Sequence, residues 1–267
     1  MKLTYCTAAL TAAAVTAAAS AGPVTSPFLE TFDDATTDVD FAFNDFDTQA
    51  TGTGSQGTSP GWTIQNGQAV FYDNSNFGDA GSADVIINTG PLDAVAFSSS
   101  ADFDVFSIDF TTTKLGVFAF AQGPADFTEN FVGLYAYVQE NDTSGGNYDF
   151  NLLLGANGNS SVLQTSTSFD LTDGSPDFNI DLVGVADGLG NFDVTATLSP
   201  DGDAPIVLTE TIAASDLAGQ IFGVRTNPGF NTLEVGVDNL AASVIVPEPA
   251  SAAALGVVGL LGLRRRR

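Results

Sequence analysis

Hydrophobic residues recur through the middle of this chain in short runs of strand length, either alternating with polar residues or continuous, and not at helical spacing. The runs occupy 69–72, 84–88, 103–110, 115–121, 131–139, 148–154, 161–165, 178–185, 192–198, 206–211, 221–225, 233–237 and 241–245. Between them lie clusters that favour reversals: Asn66-Gly67, Gly145-Gly146-Asn147, Asn157-Gly158-Asn159, Asp187-Gly188 and Asp201-Gly202. Many short strands separated by such turns predict an all-β fold, an antiparallel β-sandwich or jelly roll of about a dozen strands in one domain. Only Ala213 to Ala218 reads as helix-like in this region.

Two strands can be assigned face by face. Phe178, Ile180, Leu182 and Gly184 fall on one side, Asp187 to Asn191 reverses the chain, and Phe192, Val194, Ala196 and Leu198 return on one side. Asp193, Thr195 and Thr197 are then left facing water, which predicts a half-buried hairpin. Residues 131–139 differ. Val132, Leu134, Ala136 and Val138 share one face while Phe131, Tyr135 and Tyr137 share the other, so this strand is either covered on both faces or presents aromatics to a ligand. Thr48 to Pro60 has no apolar anchor and reads as a loop.

The two ends break the strand pattern. Residues 1–21 begin with a charge at Lys2, continue as an uncharged Ala-, Thr- and Leu-rich stretch and close on Ala19-Ser20-Ala21, the order of a secretory signal peptide cleaved after Ala21. At the other end, Val246-Pro247-Glu248-Pro249 is followed by an uncharged apolar run from Ala250 to Leu263 and by Arg264, Arg265, Arg266 and Arg267. As a helix, Ala250 to Leu263 would span about 21 Å, against about 30 Å of bilayer hydrocarbon. The prediction is a short transmembrane helix with its arginines held on the cytoplasmic side. The chain therefore divides into a signal peptide at 1–21, a sandwich domain at 22–245 and a tail at 246–267.

Composition narrows the chemistry. No histidine occurs and the one cysteine is Cys6, so the body has no His-based triad, no thiolate or His-ligated metal and no disulfide. Acidic residues outnumber Lys and Arg by 32 to 7. Without the two ends, Lys114 and Arg225 are the only cations against 31 carboxylates, a net charge of −29. Such a chain has no surface with which to neutralise nucleic-acid phosphates, and divalent cations become natural counterions.

The Pro247-Glu248-Pro249 motif, the short apolar segment and the arginine cluster at 264–267, in that order, resemble the PEP-CTERM sorting signal of Gram-negative, exopolysaccharide-producing bacteria. The resemblance implies recognition by an exosortase, transient anchoring in the inner membrane, removal of the tail and delivery to the cell surface or extracellular matrix. The body resembles the concanavalin A-like lectin/glucanase sandwiches, especially laminin-G-like surface proteins, through Phe28-Leu29-Glu30-Thr31-Phe32-Asp33, the 178–198 hairpin, Phe222-Gly223-Val224-Arg225 and Val237-Asp238-Asn239-Leu240. A galactose-binding-like jelly roll fits nearly as well.

Three kinds of site follow. A glycoside hydrolase needs two carboxylates flanking the scissile bond, and Glu140-Asn141-Asp142 at a strand end lacks the second glutamate of the family pattern, so no catalytic residue is assigned. Resemblance to carbohydrate-binding jelly rolls implies a structural calcium between the first and last strands, held by Glu30, Asp33 and Asp238. No other cofactor is expected. Sugar stacking would use Trp62, Tyr135 and Tyr137, with exopolysaccharide as the partner. The expected function is that of an exported, non-catalytic surface or biofilm-matrix protein, with a carbohydrate-binding lectin-like module as the alternative.

Overall fold

The structure is a computed structural model and describes residues 27–32, 41–45, 61–73, 81–87, 89–108, 114–122, 133–142, 149–156, 162–166, 169–170, 177–227 and 233–246. In chain order the strands are β1 (Phe28–Glu30), β2 (Phe41–Asp45), β3 (Gly61–Gln65), β4 (Gln68–Asp73), β5 (Gly81–Ile86), β6 (Ala96–Ile108), β7 (Lys114–Ala121) and β8 (Leu134–Asp142). They continue with β9 (Asp149–Ala156), β10 (Val162–Thr165), β11 (Phe169–Asp170), β12 (Asp177–Ala186), β13 (Asn191–Pro200), β14 (Ile206–Ala213), β15 (Ile221–Asn227) and β16 (Leu233–Ile245). The predicted signal peptide, the tail at 247–267 and the 48–60 loop lie outside the described residues. Among the described residues no helix is long and apolar enough to cross a membrane.

Two antiparallel sheets carry all of these strands. The first runs β14-β13-β12-β6-β16-β4-β3, with β1 also paired to β16; the second runs β10-β9-β8-β7-β15-β5-β2, with β11 paired to β9. Alternation along each strand decides what lies between them. Ala101, Phe103, Val105, Phe178, Ile180, Leu182, Val235 and Val237 of the first sheet share one core with Leu115, Val117, Leu134, Ala136, Val138, Leu152, Leu154, Phe222 and Val224 of the second. At one edge the sheets are joined by a hydrogen bond from Gln164 Nε2 on β10 to Glu210 Oε2 on β14, 3.0 Å long.

The abundance of Phe finds its place at the centre. Phe97, Phe120, Phe192 and Phe222 pack edge-on and face-on, with centroid separations of 4.9 to 6.1 Å. A bulge in β7 makes this possible: Phe120 has a φ of 52°, and the register against β15 shifts between Ile221 and Gly223, so Ala119 and Phe120 both turn inward. Gly184 on β12 leaves the space that the Phe97 ring fills, since a Cβ there would collide with it. Truncating Phe97 in such a cluster costs about 3–5 kcal/mol.

The 178–198 hairpin forms with the predicted faces. Phe178, Ile180, Leu182, Phe192, Val194, Ala196 and Leu198 are buried, and Asp193 is exposed. Asp187 closes the loop, its carboxylate accepting from the backbone N–H of Leu189 at 2.6 Å, that of Asn191 at 3.1 Å and Asn191 Nδ2 at 2.7 Å. These donors hold its pKa below the usual carboxylate value. Asn66 and Gly67, with φ of 56° and 81°, make the two-residue turn between β3 and β4.

Three elements depart from the expectation. The last strand was expected as two runs, 233–237 and 241–245, but it is one strand, because Asn239 takes a φ of 49° and a bulge absorbs the polar Asp238-Asn239 interruption. The strand expected to open at Phe103 opens at Ala96, since Ser98, Ser99 and Ser100 pair in register with Val183, Leu182 and Asp181 of β12. Serine carries no apolar alternation, so the pattern was blind to it. The helix-like 213–218 segment is a single 3-10 turn, Ala214–Asp216.

Candidate functional site

The outward face of the first sheet is built from the residues that alternate with the core. Phe103 points inward on β6, so Asp102 and Asp104 point outward; Phe178 and Ile180 point inward on β12, so Asp177, Asn179 and Asp181 point outward. Register then aligns them. Asp104 stands opposite Asp177, Asp102 opposite Asn179, and Asp102 also opposite Asp238 on β16. Gln68, Asp102, Asp104, Asp177, Asn179 and Asp238 line an open cleft of about 400 Å³.

Asp102 is the centre of a braced network. Its Oδ1 accepts from Asn179 Nδ2 at 2.7 Å and its Oδ2 from Asn239 Nδ2 at 2.8 Å. Asn179 Nδ2 also donates to the Ala101 carbonyl at 3.2 Å, and the Asn239 backbone N–H donates to Asp238 Oδ1 at 2.7 Å. The β16 bulge is what carries Asn239 over to Asp102. With both amide nitrogens committed to one carboxylate, the amide oxygens of Asn179 and Asn239 are turned away from it as fixed acceptors. Oriented amides and carboxylates of this kind suit the paired hydroxyls of a sugar ring.

Acid pairing is the second feature of the cleft. Burial pushes the Asp104 carboxyl up to about 6, reinforced by its hydrogen bond to Asp177 and by that group's charge, while a hydrogen bond from Gln68 works the other way. Burial also raises Asp181, with the charge of Asp102 adding to it and a Ser100 hydrogen bond opposing.

The expected calcium ligands are not brought together. β1 does pair with β16, but Glu30 is the register partner of Leu240, a core residue, and therefore faces inward, while Asp238 faces outward beside Asp102. Glu30 is buried, and its Oε1 accepts from the Phe32 backbone N–H at 2.8 Å, supporting a residue with φ of 53°. Asp33 lies outside the described residues. Among the described residues no three carboxylates, histidines or cysteines converge on a metal position. The calcium reading is therefore corrected: Glu30 and Asp238 serve opposite faces of one strand pair.

The expected stacking residues are covered. Trp62 is 2% exposed and belongs to the core, its ring 5.2 Å from that of Phe71. Tyr135 and Tyr137 lie on the outer face of the second sheet, 1% exposed each, with Phe118 and Leu153 packed around them. Their register partners are Gly155 and Gly116, where a Cβ would collide with the tyrosines, so glycine lets these side chains lie down across the sheet. Burial raises both phenols, Tyr137 to about 12. The strand β8 is thus the doubly covered kind, and these three side chains serve packing. Glu140 lies on β8, opposite Phe150 of β9.

Sequence reasoning missed Asp102, Asp104, Asp177, Asn179 and Asn239. The signal was present as Asp-Phe-Asp at 102–104 and Asp-Phe-Asn at 177–179, each an outward polar pair around an inward Phe. Only the pairing of β6 with β12 brings the two triplets face to face.

No family model matches this chain, and no curated protein sequence matches it. Solved structures do resemble it. The Lotus tetragonolobus seed lectin superposes with a TM-score of 0.60, covering 84% of this chain and 100% of that one at 10% identity. The fold is the legume-lectin sandwich, of the concanavalin A-like type. The carbohydrate recognition domain of Emp47p superposes at 0.53, covering 82% of this chain and 95% of that one at 12% identity. The metal-free form of lectin I-B4 from Griffonia simplicifolia gives 0.52, with 83% and 100% covered at 11% identity. These likenesses decide between the two sandwich topologies that the sequence left open.

Proposed function

We propose that the body is a carbohydrate-binding, lectin-like module that performs no chemistry and is carried by an exported chain. The observation that carries this reading is the Asn179–Asp102–Asn239 network at the cleft, which presents fixed amide acceptors beside carboxylates on an open face. The lectin fold, shared over whole domains with carbohydrate binders, supports the same reading. Export and exosortase processing are supported by the Ala19-Ser20-Ala21 and Pro247-Glu248-Pro249 signals. With them, the module would act at the cell surface or in an exopolysaccharide matrix.

The test is binding of the full chain to a glycan array, repeated with Asn239→Gly. Glycine keeps the left-handed bulge and deletes only the amide that reaches Asp102. The expected result is selective binding that falls at least about tenfold, the loss of about one charge-assisted hydrogen bond, in the variant. A folded variant that binds like the parent, or a parent that binds no glycan, overturns the proposal.

A further inference from the structure

The two most exposed large apolar side chains among the described residues, Leu189 at 86% and Leu92 at 76%, stand at one end of the sandwich. Leu189 is in the loop between β12 and β13, and Leu92 is in the 3-10 turn Pro91–Asp93 that leads into β6. The exposed Val95, Val185, Ile245 and Val246 are at the same end. Val95 N–H donates to the Ile245 carbonyl at 2.8 Å, Ala186 N–H donates to the Val95 carbonyl at 2.9 Å, and Val185 and Ile245 both pair with Ala96. The turn Ala214–Asp216 completes this end, lying beside Pro91–Asp93 and donating from the Ala214 N–H to the Gly190 carbonyl at 3.0 Å. We propose, on the reading of Ala250 to Leu263 as a membrane anchor, that this end is a membrane-seating surface whose apolar side chains enter the headgroup layer of a zwitterionic bilayer.

Loop tips are ordinarily built from polar residues and glycine. Here Asp187 accepts from the backbone N–H groups of Leu189 and Asn191, and Gly188 and Gly190 take φ of 78° and 96°, so the loop is held with Leu189 directed outward. A leucine fixed in water forgoes burial that an apolar partner would restore.

The spacing along the chain names the partner. Val246 is exposed just beyond β16, and the apolar run begins at Ala250, so the connection between them reaches at most about 14 Å. The headgroup layer alone takes about 5–8 Å of that reach. With Ala250 at the hydrocarbon boundary, this end of the body lies against the bilayer surface. The tether makes the contact intramolecular, so a few apolar side chains suffice to hold it. Charge selects the lipid. Asp93, Asp187, Asp193 and Asp216 are at this end, whereas Lys114 is at the far end of β7 and Arg225 lies within β15 opposite Gly116. Anionic headgroups are therefore repelled, and zwitterionic ones are not. The cleft stays accessible, because Asp177 and Val185 are at opposite ends of β12, about 27 Å apart at the rise of an extended strand.

The experiment places one environment-sensitive fluorophore at a time on the full chain, in a Cys6→Ser background, through Ser215→Cys at this end, Asp203→Cys at the opposite end or Ala254→Cys in the tail. Each is incorporated into phosphatidylcholine vesicles carrying nitroxide lipids. The tail probe is expected to be quenched by acyl-chain nitroxides and the Ser215 probe by headgroup nitroxides, with the Asp203 probe unaffected. Replacing a third of the lipid with phosphatidylglycerol at low salt should weaken the Ser215 quenching. Leu92→Asp combined with Leu189→Asp, both at exposed positions and so without effect on the core, should remove most of it and leave the tail probe quenched. A quenched tail with an unquenched Ser215 probe overturns the seating surface while the anchor stands; an unquenched tail removes the anchor and the surface with it. Ser215 quenching that is unchanged in the folded double variant overturns the proposal, as does a Ser215 probe shielded from both water and headgroup nitroxides, which would put a second copy of the chain there instead.

Discussion

At the scale of single residues, the cleft is governed by where carboxylates are forced together. Asp104 and Asp177 face each other across β6 and β12, and like charges directly opposite on a sheet are destabilising. Burial, reinforced by the hydrogen bond to Asp177 and by that group's charge, makes Asp104 hold its proton to about pH 6. The folded-state pKa is raised above the unfolded value of 3.8, so the contribution to stability is fully present below about pH 4 and is lost as pH rises through 6. Asp104→Asn, permanently neutral, should therefore melt higher than the parent at pH 7 to 8 and match it near pH 4. Thermal melts across that range check it; a constant difference at all pH values would assign the effect to packing. None of this was legible from the sequence, because Asp-Phe-Asp at 102–104 announces an outward pair without saying what stands opposite.

At the scale of elements, alternation was informative wherever one face of a strand is apolar and the other polar. The β12–β13 hairpin satisfied both conditions, and its faces and its Asp187 loop could be read directly. It failed for Ser98-Ser99-Ser100, which has no apolar face to show, although Ser98 Oγ and Ser243 Oγ meet at 2.7 Å across β6 and β16. It also failed at the β16 bulge, where Asp238-Asn239 looked like a break. The bulge is the element that joins fold to site, since Asn239 at φ 49° both keeps the strand continuous and reaches Asp102. Asn239→Val should cost about 1–2 kcal/mol, because a β-branched residue is strained in the left-handed region. Chemical denaturation of Asn239→Val and Asn239→Gly separates the two roles: both lose the amide, but only valine strains the backbone. Equal stabilities would remove the bulge from the argument. The aromatic strand β8 shows a further limit, for two apolar faces told of double coverage or of a ligand platform, and glycines at its partners Gly116 and Gly155 decide for coverage.

At the scale of the whole molecule, the legume-lectin sandwich is reached with no cysteine in its body and almost no basic residues. Its stability rests on a continuous core in which Phe97, Phe120, Phe192 and Phe222 fill the middle. The class of fold was legible from strand spacing alone, whereas the choice between sandwich topologies needed the strand order. The address carried by the two ends is proposed on residues 1–21 and 246–267, and it predicts a mature species that begins after Ala21 and lacks Arg264 to Arg267. Intact-mass analysis of protein recovered from its native cells reads this directly, and a product that retains Arg267 would contradict it.

Amide chemical-shift mapping tests most directly whether a glycan is held at the cleft formed by β6, β12 and β16. The full chain, labelled with ¹⁵N, is titrated with a neutral glycan selected on the array. Shifts are expected to gather at residues 101–104, 177–179 and 238–239 and to saturate with the binding curve. Saturable shifts confined to other residues, or none at all, would contradict it.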